Sequence, residues 1–95
     1  GSITQAAQVC IENGAVEVYA ACTHPVLSGP AIERLALSPI REVVVSNTIP
    51  IPPEKRIDKI TVLSVAPLLG ETIQRIHTGA SVSPVYRGVG SRTIR

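Results

Sequence analysis

Three short runs rich in Val, Ile and Ala constrain the fold of this chain more than any other feature of its sequence. They cover residues 16–22, 42–46 and 60–65. Each run is too short for a typical helix, and β-branched residues favour strands over helices. Nearly continuous apolar runs are typical of strands that are covered on both faces, as in parallel sheets. The runs therefore predict three strands.

Segments of helical periodicity separate most of these runs. Residues 3–13 place apolar side chains at helical spacing, and Pro30 and Pro67 suit the first turns of a second and a third helix. Strands separated by helices imply parallel pairing. The Pro-rich link between the second and third runs leaves an antiparallel pairing open there. The predicted fold class is α/β, with a three-layer, mostly parallel sheet of about three main strands flanked by helices.

The composition fits one small domain with an aliphatic core. The chain has 95 residues, of which 44% are hydrophobic and 2% aromatic, so Val, Ile, Leu and Ala must form the core. We predict a partial domain over residues 1–86 and a basic, flexible tail over residues 87–95. From Ala80 onward the residues predict a turn or short extended segment that leads into this tail.

Charge and cysteine content disfavour several classes of function. Nine basic and seven acidic residues give a net charge of +2. Three of the basic residues lie in the tail, which leaves six against seven, or −1, for the rest. A nearly neutral body argues against nucleic-acid binding, and no apolar run reaches the ~18 residues that a membrane span needs. Cys10 and Cys22 lack metal-ligand spacing, and we expect both to be buried and reduced, as in a cytoplasmic protein.

Candidate site residues lie where the predicted strands end. Ligands of open parallel sheets bind beyond the carboxyl ends of the strands. Here Thr23 and His24 follow the first strand, and Ser46, Asn47 and Thr48 end the second. None of them is a carboxylate, so they predict neither a metal site nor a general acid–base pair. His24 either faces a ligand or shapes its turn, and Asn47 either braces the following loop or points into a site.

Four segments resemble motifs of the ribose-phosphate pyrophosphokinase family in order and in spacing. Residues 20–31, AACTHPVLSGPA, are similar to the family's A-x-THGxxSGPA stretch, with Pro where Gly is frequent. Residues 43–50, VVVSNTIP, are similar to its VVVTNTIP. Residues 60–77 resemble its last strand and helix, and residues 81–83 match its terminal SVS. The resemblance covers nearly the whole chain.

This resemblance implies the C-terminal portion of an enzyme with two domains of the type I phosphoribosyltransferase fold. The family transfers the pyrophosphoryl group of ATP to ribose 5-phosphate with Mg²⁺. Its acidic ribose-phosphate loop and its ATP site lie outside this sequence, so we expect no firmly bound cofactor and no activity from the chain alone. The implied partners are its own N-terminal domain and the other subunits of a homo-oligomer, with ribose 5-phosphate and with phosphate or ADP as ligands.

The resemblance also implies two sites on this chain. The first is the end of the ribose-phosphate loop, with Gly1, Ser2 and Ile3 in place of Gly-Thr-Ile, although Gly1-Ser2 is also a common cloning remnant. The second is the regulatory phosphate or ADP site, and its residues here are Ser81, Val82, Ser83 and Tyr86. Tyr86 replaces an aromatic residue that can stack on a purine. The alternative for this segment is a Ser-rich turn after a helix.

Two other functions share the fold. One is a non-catalytic regulatory paralogue that acts as a subunit-binding module, and the other is an ordinary phosphoribosyltransferase. The latter requires a DDxxDTGxT-type loop and a base-recognition hood, and neither is visible. A sheet of three strands has unpaired apolar edges, so we also expect the chain to self-associate.

Overall fold

Helices and strands alternate along the chain as the sequence predicts. A computed structural model describes residues 1–87, and the chain divides into two compact units, with the boundary between Leu63 and Ser64. The elements of the first unit are α1 (Ser2–Glu12), β1 (Val18–Cys22), α2 (Ala31–Leu37), β2 (Ile40–Ser46), a 3-10 turn (Pro53–Lys55) and β3 (Ile60–Leu63). This order confirms the predicted α/β class.

The three strands form one parallel sheet in the order β1-β2-β3. Cys22 of β1 lies opposite Val45 of β2, and Val45 lies opposite Val62 of β3. Both pairings are parallel, so the antiparallel alternative for the Pro-rich link is excluded. The connection between β2 and β3 contains a 3-10 turn in place of an α-helix.

The central strand β2 supplies most of the core. Its residues Ile40, Val43 and Val45 are 1%, 4% and 1% exposed. They belong to a single buried cluster, whose members are Ala7, Leu35, Ile40, Val43, Val45 and Ile51. All six are aliphatic, which confirms that a chain with only two aromatic residues builds its core from Ile, Val, Leu and Ala.

The outer strands are shorter than predicted, and the central strand is longer. β1 begins at Val18 and not at Val16, because its pairing with β2 starts at Val18 and Val16 is 93% exposed. β3 ends at Leu63, whose partner is the last residue of β2. Strand length here follows the available pairing partner, which a single sequence does not reveal.

Lys59 joins the start of β3 to the end of α2. Its Nζ donates hydrogen bonds to the carbonyl oxygens of Leu35 at 2.9 Å, Ala36 at 3.2 Å and Ser38 at 2.8 Å. Carbonyls at the carboxyl end of a helix have no partner within the helix and carry partial negative charge. One ammonium group therefore satisfies several of them and fixes the position of α2 relative to β3.

The second unit begins with α3, which spans Ala66–Thr78. The helix has Pro67 in its first turn and ends at Gly79, whose φ of 75° lies in the left-handed region that glycine adopts readily. No residue of α3 is buried, and Leu69, Ile73 and Ile76 are more than half exposed. The predicted third helix is thus confirmed.

Residues 83–87 are helical, where the sequence predicted a turn or an extended segment. The prediction was wrong because it rested on the small, polar and basic residues from Ala80 onward, whereas Pro84 lies in the first turn of this helix, where a proline loses no hydrogen bond. The N–H of Val85 donates to the carbonyl oxygen of Val82 at 3.0 Å, and Val85 is 3% exposed. Residues 88–95, which carry most of the predicted basic tail, lie outside the described residues.

Both cysteines are free and exposed, so their expected burial is wrong. α1 contributes Ala7 alone to the buried cluster, which leaves Cys10 exposed one turn later. Cys22 is exposed at the end of an outer strand. Within residues 1–87, no helix combines the length and the apolar character needed to cross a membrane.

Candidate functional site

The carboxyl ends of β1 and β2 bring four predicted site residues together. The two strands are adjacent and parallel, so the residues that end or follow them lie at one edge of the sheet. These residues form what we call the strand-end cluster: Thr23, His24, Ser46 and Thr48. Their hydrogen bonds join positions that are 23 to 25 residues apart in sequence. The cluster is therefore a product of the tertiary fold.

The backbone carbonyl of Thr23 is the common acceptor of this cluster. Ser46 Oγ donates to it in a very short hydrogen bond, and Thr48 Oγ1 donates to it at 3.1 Å. The N–H of Thr48 lies 3.3 Å from Ser46 Oγ and donates to it. Ser46 is only 9% exposed, so its hydroxyl needs these partners. The hydrogen bonds tie the loop after β1 to the loop after β2.

His24 adds the only titratable group of the cluster. Its Nδ1 lies 2.8 Å from Thr48 Oγ1, and its side chain is exposed. The imidazole thus contacts a side-chain hydroxyl in the loop after β2. Asn47 is also exposed and lies between two members of the cluster. The roles of His24 and Asn47 toward a ligand stay predictions.

A cleft lies beside the first of the sites implied by the resemblance. Gly1 caps α1, and its carbonyl oxygen accepts hydrogen bonds from Thr4 Oγ1 at 2.8 Å and from a backbone N–H. Gly1, Ile3 and Arg34 help to line a cavity of about 250 Å³. The guanidinium of Arg34 lies so close to Gly1 that a Cβ there would stand 2.9 Å from it. A guanidinium in this place can hold a phosphate by charge-assisted hydrogen bonds.

No sequence pattern indicates a role for Arg34. It lies in the middle of α2, where an arginine is an ordinary helix residue, and its neighbour Gly1 is 33 positions away. Only the packing of α1 and α2 brings the two residues together. Ser2, between Gly1 and Ile3, is exposed at the first position of α1.

The second implied site lies in the second unit and is held by local contacts. Arg75 NH1 donates to the carbonyl oxygen of Ser81 at 2.9 Å, and the N–H of Ser83 donates to Ser81 Oγ at 3.3 Å. Val82 is half-buried and Tyr86 is 79% exposed. The Ser-rich turn predicted as the alternative is thus present, whereas anion binding by it stays a prediction. The sequence pattern did not indicate that Arg75 supports this turn by its hydrogen bond to Ser81.

The described residues do not fit Mg²⁺. This ion prefers carboxylate oxygens and water in octahedral geometry. The strand-end cluster offers hydroxyls, a carbonyl and an imidazole. Glu42 lies near the start of β2 and accepts a hydrogen bond from Thr61 Oγ1 at 2.5 Å. Among residues 1–87 no group of three or more His, Cys, Asp or Glu side chains is placed to hold a metal ion. We therefore derive no step through a metal from these residues.

Comparisons with known proteins agree with the fold and the motifs. A family model described as "Phosphoribosyl synthetase-associated domain" matches residues 1–87. A ribose-phosphate pyrophosphokinase of Caldanaerobacter subterraneus subsp. tengcongensis is 62% identical over 86 residues, which are 90% of this chain and 27% of that protein. The protein of the same name from Bacillus subtilis is 57% identical, with the same coverage.

A solved structure shares the fold. The crystal structure of phosphoribosylpyrophosphate synthetase from Mycobacterium smegmatis matches with a TM-score of 0.82 and 48% sequence identity. The match covers 84% of this chain and 27% of that chain. The chain therefore spans about a quarter of the length of the relatives it matches.

Proposed function

The chain belongs to the phosphoribosyl synthetase-associated domain family, and from this premise we propose that it is the C-terminal part of a ribose-phosphate pyrophosphokinase. The proposed reaction transfers the pyrophosphoryl group of ATP to the anomeric hydroxyl of ribose 5-phosphate and yields AMP and phosphoribosyl pyrophosphate. The observation that carries the proposal is the high identity to proteins of that name over nearly the whole chain. The in-order motifs of the sequence support it.

We assign two contributions to substrate binding. The guanidinium of Arg34 beside Gly1 supplies a positive charge where the end of a ribose-phosphate loop is implied. The strand-end cluster supplies hydroxyls and an imidazole at the edge of the sheet where ligands of parallel α/β proteins bind. Both lie in the first unit.

ATP and Mg²⁺ belong to the proposed reaction, but residues other than 1–87 would have to hold them. The metal supplies charge neutralisation on the transferred phosphates. The described residues contribute positioning and no acidic cluster. We therefore propose that this chain by itself does not form phosphoribosyl pyrophosphate.

The proposed partners are an N-terminal domain of the same protein and further subunits of a homo-oligomer in the cytoplasm. β1 and β3 are the outer strands of the described sheet, and each has one side that no strand within residues 1–87 pairs. Such edges pair readily with another strand. Phosphate or ADP is the proposed regulatory ligand of the turn at Ser81 and Ser83, where exposed Tyr86 offers a face for stacking.

A chimera tests the proposal. Residues 1–86 of this chain replace the matching segment of the Bacillus subtilis protein, to which they are 57% identical. We expect the chimera to form phosphoribosyl pyrophosphate from ATP and ribose 5-phosphate with Mg²⁺, because the acceptor protein supplies the remaining residues. The chain alone is assayed in parallel and should form none.

The control is the same acceptor protein with the segment deleted, which should be inactive. A chimera that folds with the acceptor's oligomeric state but forms no product would contradict the proposal. Turnover by the purified chain alone would contradict the proposal that this chain by itself forms no phosphoribosyl pyrophosphate.

A further inference from the structure

Besides a contact of 3.3 Å between Ser46 Oγ and Thr48 Oγ1, the strand-end cluster contains three closer polar contacts and three side-chain protons to place in them. The contacts join Ser46 Oγ to the Thr23 carbonyl, Thr48 Oγ1 to the same carbonyl at 3.1 Å, and His24 Nδ1 to Thr48 Oγ1 at 2.8 Å. A carbonyl oxygen only accepts and can accept two hydrogen bonds, whereas each hydroxyl has a single proton to donate. The cluster is therefore constrained enough to decide which ring nitrogen of His24 carries the proton.

One arrangement places a proton in each of the three closer contacts. Ser46 and Thr48 both donate their hydroxyl protons to the Thr23 carbonyl. Thr48 Oγ1 then has lone pairs only to offer to His24, so Nδ1 of the imidazole must be the protonated nitrogen and must donate. In the neutral ring this leaves Nε2 unprotonated, with its lone pair directed away from Thr48.

The other tautomer leaves a contact without a proton. If Nδ1 accepted the hydroxyl proton of Thr48, then Thr48 Oγ1 and the Thr23 carbonyl oxygen would face each other at 3.1 Å as two acceptors. The Ser46 proton does not relieve this contact, because it already lies in the short hydrogen bond to Thr23. Two oxygen atoms that face each other without a proton repel, so the first arrangement is favoured.

We propose that Thr48 holds His24 in the Nδ1–H tautomer, so that Nε2 accepts a hydrogen bond from a hydroxyl group of a sugar-phosphate ligand. The identity of the ligand rests on the proposed function. His24 is a binding residue in this account, and Thr48 is a positioning residue that acts through it. The side chain of His24 is exposed, so its Nε2 is within reach of a ligand beyond the strand ends.

The chemistry of Nε2 selects the ligand group. A lone pair accepts from a donor, and an ionised phosphate has only acceptor oxygens to offer, so the partner of Nε2 is a hydroxyl and not the phosphate of such a ligand. A metal ion needs further protein ligands, and residues 1–87 hold no group of three suitable side chains. The phosphate is then free to lie at a cation elsewhere, such as Arg34.

The tautomer is measured on the chain itself by ¹⁵N NMR of the imidazole nitrogens, at the alkaline plateau of the histidine titration. His77→Gln removes the other histidine, so that every ring signal belongs to His24. We expect Nδ1 to show the shift of a protonated nitrogen and Nε2 that of an unprotonated one. The reverse pattern would overturn the proposal.

Variants of Thr48 separate positioning from folding. Thr48→Val keeps the shape and removes the acceptor, and we expect the preference for Nδ1–H to be lost while the sheet signals stay in place. Thr48→Ser should restore the preference. Thr78→Val makes the same change in α3, where the hydroxyl bonds to a helix carbonyl, and should leave His24 unchanged. An unchanged tautomer in Thr48→Val would show that Thr48 does not hold the ring.

The ligand is tested in the chimera described above. His24→Ala should raise the KM for ribose 5-phosphate about five- to tenfold, the usual value of one hydrogen bond, and leave the KM for ATP unchanged. His24→Gln, whose carbonyl oxygen can replace the Nε2 acceptor, should recover part of the loss. A KM for ribose 5-phosphate unchanged by His24→Ala would overturn the ligand half while the proposed function stands.

A failure of the proposed function and a failure of the proposal for His24 can be told apart. A chimera without product counts against the proposed function and the sugar-phosphate ligand together. The tautomer in the chain is measured independently of that result.

Discussion

The strand-end cluster and the turn at Ser81 and Ser83 are both built from hydroxyls and backbone groups, but they are held together differently. The cluster joins residues 23 to 25 positions apart through two neighbouring strands. The turn joins residues two and six positions apart. A site of the first kind exists only when the sheet has formed in its correct register. A site of the second kind requires little more than the end of one helix.

The two regions also differ in the burial beneath them. The cluster follows β2, whose residues Ile40 and Val45 are each 1% exposed. The turn follows α3, which buries no residue. Geometry at the cluster is therefore coupled to the aliphatic core of the first unit, whereas geometry at the turn depends on local contacts of Arg75 and on Val85, which is buried but does not belong to that core. Three predictions test this difference, and a fourth concerns the outer strand β1.

Removing core volume should have the largest effect. Ile40→Ala deletes buried methyl groups from the central strand, and we expect it to lower the free energy of unfolding by about 2–5 kcal/mol. Urea unfolding followed by circular dichroism measures the change. Ile73→Ala is the matched control on α3, where the side chain is 66% exposed, and should change stability by at most about 0.5 kcal/mol. Equal losses in the two variants would contradict the contrast in burial.

Removing one hydroxyl should have a smaller effect, and only at the cluster. Ser46→Ala takes one of two donors from the Thr23 carbonyl and should cost about 1–2 kcal/mol. Ser81→Ala removes an exposed acceptor and should stay within about 0.5 kcal/mol. The same urea experiment measures both. If Ser81→Ala lowered stability as much as Ser46→Ala, the claimed difference between the strand-end cluster and the local turn would be wrong.

Arg75 should control the turn without controlling the stability of the chain. Its guanidinium donates to the Ser81 carbonyl and pairs with Glu71 at 3.4 Å, with the two side chains 30% and 28% exposed. Ion pairs one turn apart on a helix that water can reach typically contribute at most about 1 kcal/mol. We expect Arg75→Gln to speed amide exchange at Ser83 and Val85, measured by NMR, with unfolding almost unchanged. Arg75→Lys should give exchange rates between those of the unchanged chain and those of Arg75→Gln. Unaltered exchange in Arg75→Gln would mean that the turn is held by other groups.

The smallest effect concerns pH at the outer strand β1. Tyr19 donates a hydrogen bond to Glu17 at 2.8 Å, and this bond raises the pKa of Tyr19 above its ordinary value of 10.0. Because the folded state favours the protonated phenol, its contribution to stability is complete below pH 10 and is lost as pH rises through the raised pKa.

Ultraviolet titration of the phenol in Tyr86→Phe, which leaves Tyr19 as the only tyrosine, measures this pKa. We expect a midpoint above 10.0 that falls when Glu17→Gln removes the carboxylate. A midpoint that does not move with Glu17→Gln would assign the shift to another cause.

The sequence predicted the elements well because their signals are local. Runs of Val and Ile defined the strands, and proline and glycine marked the ends of α3. The residues of the strand-end cluster could also be named, since the ends of parallel strands meet at one edge. The resemblance to a known family located the turn at Ser81.

The remaining features required three-dimensional information. The hydrogen bond between His24 and Thr48 depends on strand register and on rotamers, and the approach of Arg34 to Gly1 depends on how two helices pack. The exposure of Cys10 and Cys22 was missed because apolar spacing does not say how much of a helix or of an outer strand the core covers. In each case the missing information is how segments far apart in sequence pack against one another.

The central claim is that adjacent parallel strands bring His24 against Thr48. The most direct test is the nuclear Overhauser effect between the imidazole protons of His24 and the methyl group of Thr48 in the isotopically labelled chain. We predict a clear cross-peak, together with cross-strand peaks that place Cys22 opposite Val45. A folded chain that shows strand signals but neither set of peaks would contradict the account.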